Sequence, residues 1–393
     1  MPRALVAGAG ICGLSVALAL DSAGFEVTIF ERADALAEFG AGLQITPNAT
    51  RILEKLGALT RVMDVATEPK AVRILRGRDD VELARLDISD ARQRWGAPYI
   101  VIHRADLQRA LAEVAATRPH IELKLGFAVG GVAETPDGIA AGLKRGPLSL
   151  RENGDLLVGC DGVRSKVRER LGLGGSEDLV FSGRVAFRAA VPASALPERY
   201  AEPLVHLRLG ARAHLVHYPL RGGSQINFVA TIESGWRGKP TDDPWDGEAD
   251  REALIRAYSD WSREVRDLIA LPDAWRAWPL RHRDPIDTYA AGRVALAGDA
   301  AHPMVPFLAQ GAGQAIEDAG SLWRHLSSTR DIPAALETYS KERAPRAGKV
   351  QRDALGQAKI YHMSGPAAFA RDLVIRTLGS RRLLERYEWL YGG

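Results

Sequence analysis

The six residues Gly8-Ala9-Gly10-Ile11-Cys12-Gly13 limit the fold of this chain more than any other feature, because of what flanks them. Residues 3–8 are short, apolar and glycine-terminated, which predicts a buried parallel strand. Residues 14–22 predict a helix and 26–31 a second strand, so strand–helix–strand is complete within about 30 residues, the size of one βαβ unit. In that setting GxGxxG reads as a dinucleotide site. Gly8 makes the tight turn, Gly10 lets a pyrophosphate approach the backbone, and Gly13 lets the helix pack on the strand. The helix N-terminus offers unpaired N–H groups and a partial positive charge to phosphates. Glu31 ends the second strand, eighteen residues after Gly13, where its carboxylate accepts from ribose hydroxyls. Arg32 follows it and is counted with the cofactor residues. The opening residues also resemble a secretory segment, but the three glycines break the apolar run and predict a retained strand. The motif alone does not separate NAD from FAD.

Two further glycine stretches follow the first by about 145 and 285 residues. Residues 156–165 read LLVGCDGVRS, a strand ending in Gly159-Cys160-Asp161-Gly162 and then a helix start. Asp161, an acid at a strand end, is suited to a ribose or pyrophosphate edge. Residues 294–318 read VALAGDAAHPMVPFLAQGAGQAIED, a strand, then Gly298-Asp299, a loop, and a helix from near Gly311-Ala312-Gly313. Asp299 is suited to a ribityl hydroxyl, and amides at the helix start suit an electron-rich flavin edge.

The chain has 393 residues with 52 basic and 49 acidic side chains, so 52 − 49 gives +3. That balance excludes a strong electrostatic case for nucleic acid or an acidic membrane. At 46% hydrophobic and 26% charged, the composition is that of a soluble globular protein. Two cysteines, Cys12 and Cys160, exclude a disulfide scaffold and a four-cysteine metal site, and fit a reducing cytosol. No metal site and no membrane span are expected. Residues 48–56 predict a helix closed by Gly57, 71–87 a hairpin turning at Asp79-Asp80, 105–117 a helix and 121–125 a strand. Glycine-punctuated strands fill 127–159, and 183–232 is strand-rich with a turn at Gly222-Gly223. A Trp-rich helical segment is expected over 248–279, a strand over 294–297, a helix over 313–327 and mostly helix over 333–393. The fold class is α/β: a Rossmann-like nucleotide-binding domain interrupted by an inserted β-sheet lobe and followed by a helical C-terminus.

In this order and spacing the three motifs resemble the single-component flavoprotein aromatic hydroxylases, the para-hydroxybenzoate hydroxylase family, over about residues 3–345. The stretch Gly298 to Asp318 is similar to that of salicylate hydroxylases and of related enzymes acting on 3-hydroxybenzoate, 6-hydroxynicotinate or urate. The resemblance implies an FAD-binding domain of residues 1–72, 98–180 and 280–345, a substrate lobe of 73–97 and 181–279, and a helical segment of 346–393. It implies non-covalent FAD on Gly8, Gly10, Gly13, Glu31 and Arg32, with Arg104 at the phosphate–ribityl part. Asp299 would hold the ribityl chain, and Gly311, Ala312 and Gly313 would lie along the isoalloxazine. Asp161-Gly162 would serve both FAD and the reduced nicotinamide. The implied reaction is reduction of FAD by NADH or NADPH, addition of O₂ at flavin C4a as a hydroperoxide, and transfer of its terminal oxygen to an electron-rich ring. The lack of a second GxGxxG after a strand fits this family and, with the lack of CxxC, argues against two-Rossmann disulfide reductases. A small aromatic substrate, no nucleic-acid or membrane partner, a monomer or homodimer and a cytoplasmic location are expected.

Attack on the ring is helped by a group that polarises or deprotonates a phenol. The strand 213–218 carries His214, Val216 and Tyr218 on one face and His217 on the other. His214 and Tyr218 are the catalytic and substrate candidates, and their i, i+4 placement is similar to the 3-hydroxybenzoate and 6-hydroxynicotinate members. Pro306 and Gln44 join them as substrate-side residues by the resemblance. Gln44 otherwise reads as a solvent-facing loop amide within Gly40-Ala41-Gly42-Leu43-Gln44. His302 reads as a structural histidine bonding the loop backbone, stiffened by Pro303 and Pro306. A ring carboxylate wants an arginine, with Arg188, Arg208, Arg212 and Arg221 equally placed. Trp236, Trp245, Trp261, Trp275 and Trp278 read as packing between lobes, and the amphipathic tail 383–391 as a cap on the core. The leading reading is an FAD monooxygenase of an aromatic or heteroaromatic hydroxy acid. The alternatives are a hydroxylase of another planar ring, a flavin dehydrogenase or oxidase, and a non-catalytic FAD module.

Overall fold

The computed structural model describes residues 1–36, 42–136, 138–235, 250–392 and the backbone of 247–248. Its first sheet has six strands in the order Ala290–Ala291, Val294–Leu296, Leu156–Gly159, Arg3–Ala7, Glu26–Glu31 and Ile121–Leu125. All pairs are parallel except the Ala290–Ala291 hairpin. Arg3–Ala7 pairs on one side with residues 26–30 and on the other with 156–159, so its C-terminal end is a topological switch point. The central strands are continuous apolar runs because both faces are covered. Helix Ile11–Ser22 is apolar all round, and nine of its twelve residues are buried. It packs between the sheet and helices Arg104–Ala116 and Gly311–Ser328.

The second large sheet has eight strands: 247–248, Arg276–His282, Val180–Pro192, Gln225–Glu233, Ala213–Leu220, Leu204–Gly210, Ala71–Arg76 and Glu82–Asp87. Asp80 takes φ +54 in the expected hairpin turn. One face packs on helices Arg251–Ala257 and Arg263–Ala270 through Phe228, Leu254, Tyr258, Trp261 and Trp275. Trp261 therefore packs inside this lobe, where a Cβ on Gly77 or Gly210 would lie 2.1 or 2.2 Å from its ring. Trp261 and Trp275 do not bridge lobes, which corrects the expectation. Trp236, Trp245, Gly40 and Ala41 lie outside the described residues. Residues 276–279 belong to a strand and not to the expected helix. Pro279 would break a helix, and the sheet accommodates it beside a register shift against Val180–Pro192.

Three C-terminal helices, Ile332–Tyr361, Gly365–Glu385 and Glu388–Tyr391, return the chain to the core. Arg346 donates to the carbonyls of Trp389 and Leu390 at 3.1 Å each, and Arg51 to that of Tyr391 at 2.6 Å. Leu390 and Tyr391 are buried, as a core cap requires. No helix among the described residues is long and apolar enough to cross a membrane.

Candidate active site

The three glycines of the first motif differ in what surrounds them. Gly8 has φ +100, and a Cβ there would sit 2.6 Å from the Cys160 carbonyl oxygen. A Cβ on Gly13 would sit 1.8 Å from the Gly8 carbonyl oxygen, so Gly13 is required for helix–strand contact. A Cβ on Gly10 would meet nothing within 4 Å. Gly10 is the N-cap of Ile11–Ser22, and no side chain caps that end. An open approach to uncapped amides is what a pyrophosphate needs. Glu31 accepts from the Ala9 amide at 2.8 Å and the Ala33 amide at 3.0 Å, which holds its carboxylate against the glycine turn. Gln108 braces the same turn by donating to the Ala9 carbonyl at 2.8 Å. Arg32 and Arg104 are exposed, Arg104 as the first residue of Arg104–Ala116.

Asp161 and Asp299 end neighbouring strands but are engaged differently. One Asp161 oxygen accepts from the Lys166 and Val167 amides at 2.7 and 3.2 Å, capping helix Lys166–Arg170. Its other oxygen is buried without a partner, and burial pushes the carboxyl above its usual range. Asp299 is exposed and bonds to none of the described residues. Gly298 before it has φ +60 and faces Cys12 Sγ, 2.8 Å from where a Cβ would be. Gly311 and Ala312 start helix Gly311–Ser328, which no side chain caps, and a Cβ on Gly311 would meet nothing within 4 Å. Gly313 is buried against Gln310, so it packs while Gly311 and Ala312 stay accessible.

Beneath this motif lies a buried polar network. His302 Nε2 pairs with Asp318 Oδ2 at 2.6 Å, and the same oxygen accepts from the Gly298 amide at 2.8 Å. His302 thus holds the loop through a carboxylate, not by bonding the loop backbone itself. Arg343 donates to Asp318 at 2.7 Å, Glu317 at 2.6 Å and the Gln314 side chain at 2.8 Å. Asn48 joins through Glu317 at 2.5 Å and Gln310 at 3.1 Å. Burial raises the Glu317 and Asp318 carboxyls, but Arg343, with His302 for Asp318, pulls both below their usual range. Sequence reasoning missed this network. Its only local trace is the acidic pair Glu317-Asp318 on an otherwise small-residue helix face.

The second sheet faces the cofactor motifs with the expected strand alternation. His214, Val216 and Tyr218 share this face with Asn227, Val229 and Thr231 of the next strand, and with Ala186, Arg188 and Ala190 beyond it. His214, Tyr218, Asn227 and Thr231 are buried, at 5, 2, 0 and 1% exposure. Between them Arg188, Val229 and Val216, directly paired across three strands, are only partly buried. A partly open row between the closed pairs His214–Thr231 and Tyr218–Asn227 is a trough in the sheet, open at exposed Ala190. His214 and Tyr218 stand at its two edges, four residues or about 13 Å apart along the strand. The Tyr218 ring packs under strand Gly42–Ile45, where a Cβ on Gly42 would lie 2.6 Å from it. Asn227 accepts from the Gly42 amide at 2.8 Å, and its amide nitrogen is buried without a partner. Gln44 lies on that strand, half-buried, accepting from the Tyr99 hydroxyl at 2.5 Å.

The His214 end is aromatic. Its ring lies 5.2 Å from Phe307, 5.3 Å from Tyr361 and 5.1 Å from His362, centroid to centroid. Pro306, next to Phe307, is exposed. Burial, then Arg184, depresses His214 to about 3, so the imidazole is neutral. Burial pushes the Tyr218 phenol up, so it stays protonated. His217 points to the opposite face, stacked on His206 at 4.4 Å and 2.6 Å from Arg208.

The four candidate arginines separate by partner. Arg208 pairs with Asp80 at 2.6 Å and Glu264 at 3.1 Å on the His217 face. Arg221 pairs with buried Asp106 at 2.7 Å, and Arg212 is 77% exposed. Arg188 has no carboxylate partner among the described residues, its Nε is buried without an acceptor, and its guanidinium lies 4.3 Å over the Trp278 ring. Burial brings Arg188 down to about 10, which leaves it cationic at neutral pH. A separate cleft of about 640 Å³ is lined by Arg61, Asp64, Asp106, Arg109, Glu113 and Arg221, not by His214, Tyr218 or Arg188, and its three arginines are paired with its three carboxylates.

Residues 2–354 match the family described as FAD binding domain. The chain is 37% identical over its full length to 3-amino-4-hydroxybenzoate 2-monooxygenase PtnB3 of Streptomyces platensis, covering 96% of that protein. It is 32% identical to 3-hydroxybenzoate 6-hydroxylase of Klebsiella oxytoca, with 99% of this chain and 96% of that one covered. Among solved structures, a salicylate hydroxylase substrate complex superposes with a TM-score of 0.83 at 27% identity, covering all of this chain and 95% of the other.

Proposed function

The chain belongs to the FAD-dependent aromatic hydroxylases, and from that premise we propose that it hydroxylates a ring carrying both a hydroxyl and a carboxylate, held in the trough over Val216 and Val229. The observation that carries this reading is Arg188. It is a half-buried cation with no carboxylate partner among the described residues, in the partly open row between His214 and Tyr218. A substrate carboxylate supplies the missing partner, and a planar guanidinium meets it with two parallel hydrogen bonds.

The cofactor residues fit FAD: Gly10 and Gly311 leave open approaches to uncapped helix starts, and Glu31 and Asp299 present carboxylates at strand ends. Arg32, Arg104 and Asp161 complete the proposed cofactor set. Bound FAD supplies reduction by NADH or NADPH and activation of O₂. The protein's part is to orient the ring and to raise its electron density. Arg188 fixes the carboxylate, Val216 and Val229 support the ring, and His214 or Tyr218 hydrogen-bonds the hydroxyl oxygen. Phe307 and Tyr361 keep water from the His214 end, which strengthens those hydrogen bonds. Pro306 and Gln44 border the trough from the loop and from strand Gly42–Ile45.

A panel of hydroxybenzoates, aminohydroxybenzoates, hydroxynicotinate, urate and neutral phenols, scored by hydroxylated product, tests the proposal. Arg188→Met should raise KM for carboxylated rings by roughly 10–100-fold, the worth of a charge-assisted pair, and leave a neutral phenol unaffected. Preference for urate or a neutral phenol would remove Arg188 from the site. NAD(P)H oxidation without any hydroxylated product would favour a dehydrogenase or oxidase.

A further inference from the structure

His214 has one ring nitrogen tied to the protein and one left for a ligand. Its Nδ1 lies 2.9 Å from His362 Nε2. Its Nε2 makes no hydrogen bond to the described residues and is not among the fully enclosed unpartnered atoms. The other nitrogen of His362, Nδ1, lies 3.3 Å from Arg184 Nε. Glu233 is near too, but its oxygen is 3.7 Å from His362 Nδ1, outside hydrogen-bond range, and it pairs with Arg184 at 3.5 Å.

The direction of each bond follows from the donor at the end of the line. An arginine Nε carries a hydrogen and never accepts. His362 Nδ1 must therefore accept, so the proton of neutral His362 sits on Nε2. That nitrogen donates to His214 Nδ1, and the proton of neutral His214 then sits on its Nε2. Both imidazoles stay neutral because they are buried beside Arg184, with Arg371 also acting on His362. The tautomer of a histidine is set by the bond its other nitrogen makes.

We infer that Arg184 and His362 are positioning residues that fix His214 as an Nε2–H donor, so His214 gives a hydrogen bond to the substrate oxygen and does not take its proton. This rests on the proposed placement of the substrate beside His214. The chain Arg184–His362–His214 then favours a substrate oxygen that already carries negative charge, the phenolate of the hydroxy acid, over the neutral phenol. Arg184 and His362 are 178 residues apart, and sequence spacing gives no hint of them as a pair.

Two measurements test the inference. Nitrogen-15 imidazole spectra of histidine-labelled protein, with His214→Gln assigning the signals, should show His214 protonated at Nε2 and bare at Nδ1 near neutral pH. A bare Nε2 would overturn the inference. The second measurement compares two near-isosteric variants. In His362→Gln the amide oxygen can accept from Arg184 and the amide nitrogen can donate to His214, so polarity is kept. In His362→Glu the carboxylate only accepts, which forces the His214 proton to Nδ1 and leaves Nε2 an acceptor. His362→Gln should keep product yield within about threefold of wild type, and His362→Glu should lose it by roughly 10–100-fold, with peroxide released instead. Equal yields from the two variants would overturn the inference, and the spectrum of His362→Glu checks that the proton has moved. If no aromatic acid is hydroxylated by any form, the substrate proposal fails by itself, and the nitrogen spectra still decide the tautomer.

Discussion

Arg343 Nε stands 2.7 Å from Asp318 Oδ1, at 1 and 0% side-chain exposure, and that ion pair underlies the loop that carries Asp299. Asp318 also holds the Gly298 amide and His302, so one carboxylate ties the strand end, the loop histidine and helix Ile332–Tyr361 together. Arg343→Met leaves Asp318 and Glu317 buried without their main cation. Unfolding free energy should fall by about 3–5 kcal/mol, the cost of breaking a buried pair from one side. Urea unfolding of the FAD-free protein checks this, and a change under 1 kcal/mol would show that Arg346 alone suffices for the network.

Gly10 and Gly13 should fail in different ways. Gly10→Asp places a side chain and a negative charge in open space, so the fold should persist while FAD binding is abolished. Gly13→Ala drives a methyl into the Gly8 carbonyl and should destabilise the protein with or without FAD. FAD absorbance after gel filtration, paired with thermal unfolding, separates the two. Full FAD occupancy in Gly10→Asp would show that the cofactor does not approach this turn.

Asp299→Ala should leave apoprotein stability unchanged, since Asp299 is exposed and bonds to none of the described residues. Its loss should weaken FAD binding by roughly 1.5–3 kcal/mol, the value of a hydrogen bond to a charged group. Titration of apoprotein with FAD gives the dissociation constant, and an unaltered constant removes Asp299 from the cofactor set.

His214→Ala and Tyr218→Phe should each lower product formation by roughly 10–10³-fold while FAD stays bound, as loss of a buried hydrogen bond to the reacting oxygen predicts. NADH or NADPH oxidation should continue with peroxide released. His217→Ala should affect stability more than hydroxylation, because His217 packs with His206 and Arg208 on the far face. Product and peroxide yields of the three variants, measured side by side, show whether the trough or the far face matters.

His206, His214 and His362 are neutral in the fold, with pKa values lowered by burial to about 3, 3 and 2. An unfolded histidine titrates near 6.5, so below that pH the unfolded chain binds protons that the fold refuses. Stability contributed by these groups is full above pH 6.5 and falls as pH drops toward 3, by up to roughly 2 kcal/mol per imidazole at pH 5. Thermal midpoints should therefore fall from pH 8 to pH 5, and His206→Gln should flatten that slope. A midpoint independent of pH across this window would contradict the burial of these rings.

The glycine turn was legible in the sequence because its causes are local: strand, turn, helix and terminal acid fall within 29 residues, from Arg3 to Glu31. The face shared by His214 and Tyr218 was legible for the same reason, as two-residue alternation is local. Arg188 could not be chosen from four arginines, because the choice depends on strand register: Val229 faces Arg188, and Val216 faces Val229. Asn227 was missed likewise, since its role depends on Gly42, 185 residues away. The Trp-rich segment is helical over Arg251–Ala257 and Arg263–Ala270 as expected, but residues 276–279 are strand, because Pro279 and the strand beside it decide the local structure there. His302 was placed as structural, but its partner lies one helix later.

The first strand sits between residues 26–31 and 156–159, and the latter strand pairs onward with 294–296. On the ribosome these neighbours emerge far apart in time. At about 5–20 residues per second, roughly 15–60 s separate the synthesis of Gly8 from that of Gly298, with 298 − 8 = 290 residues between them. For much of that interval the growing chain exposes an apolar parallel edge awaiting Leu156–Gly159, the kind of edge that invites misassociation. FAD therefore cannot meet a finished cradle during most of translation. Its capture belongs to the last stage of maturation, and nascent chains ending between residues 40 and 150 should be the forms most dependent on chaperones.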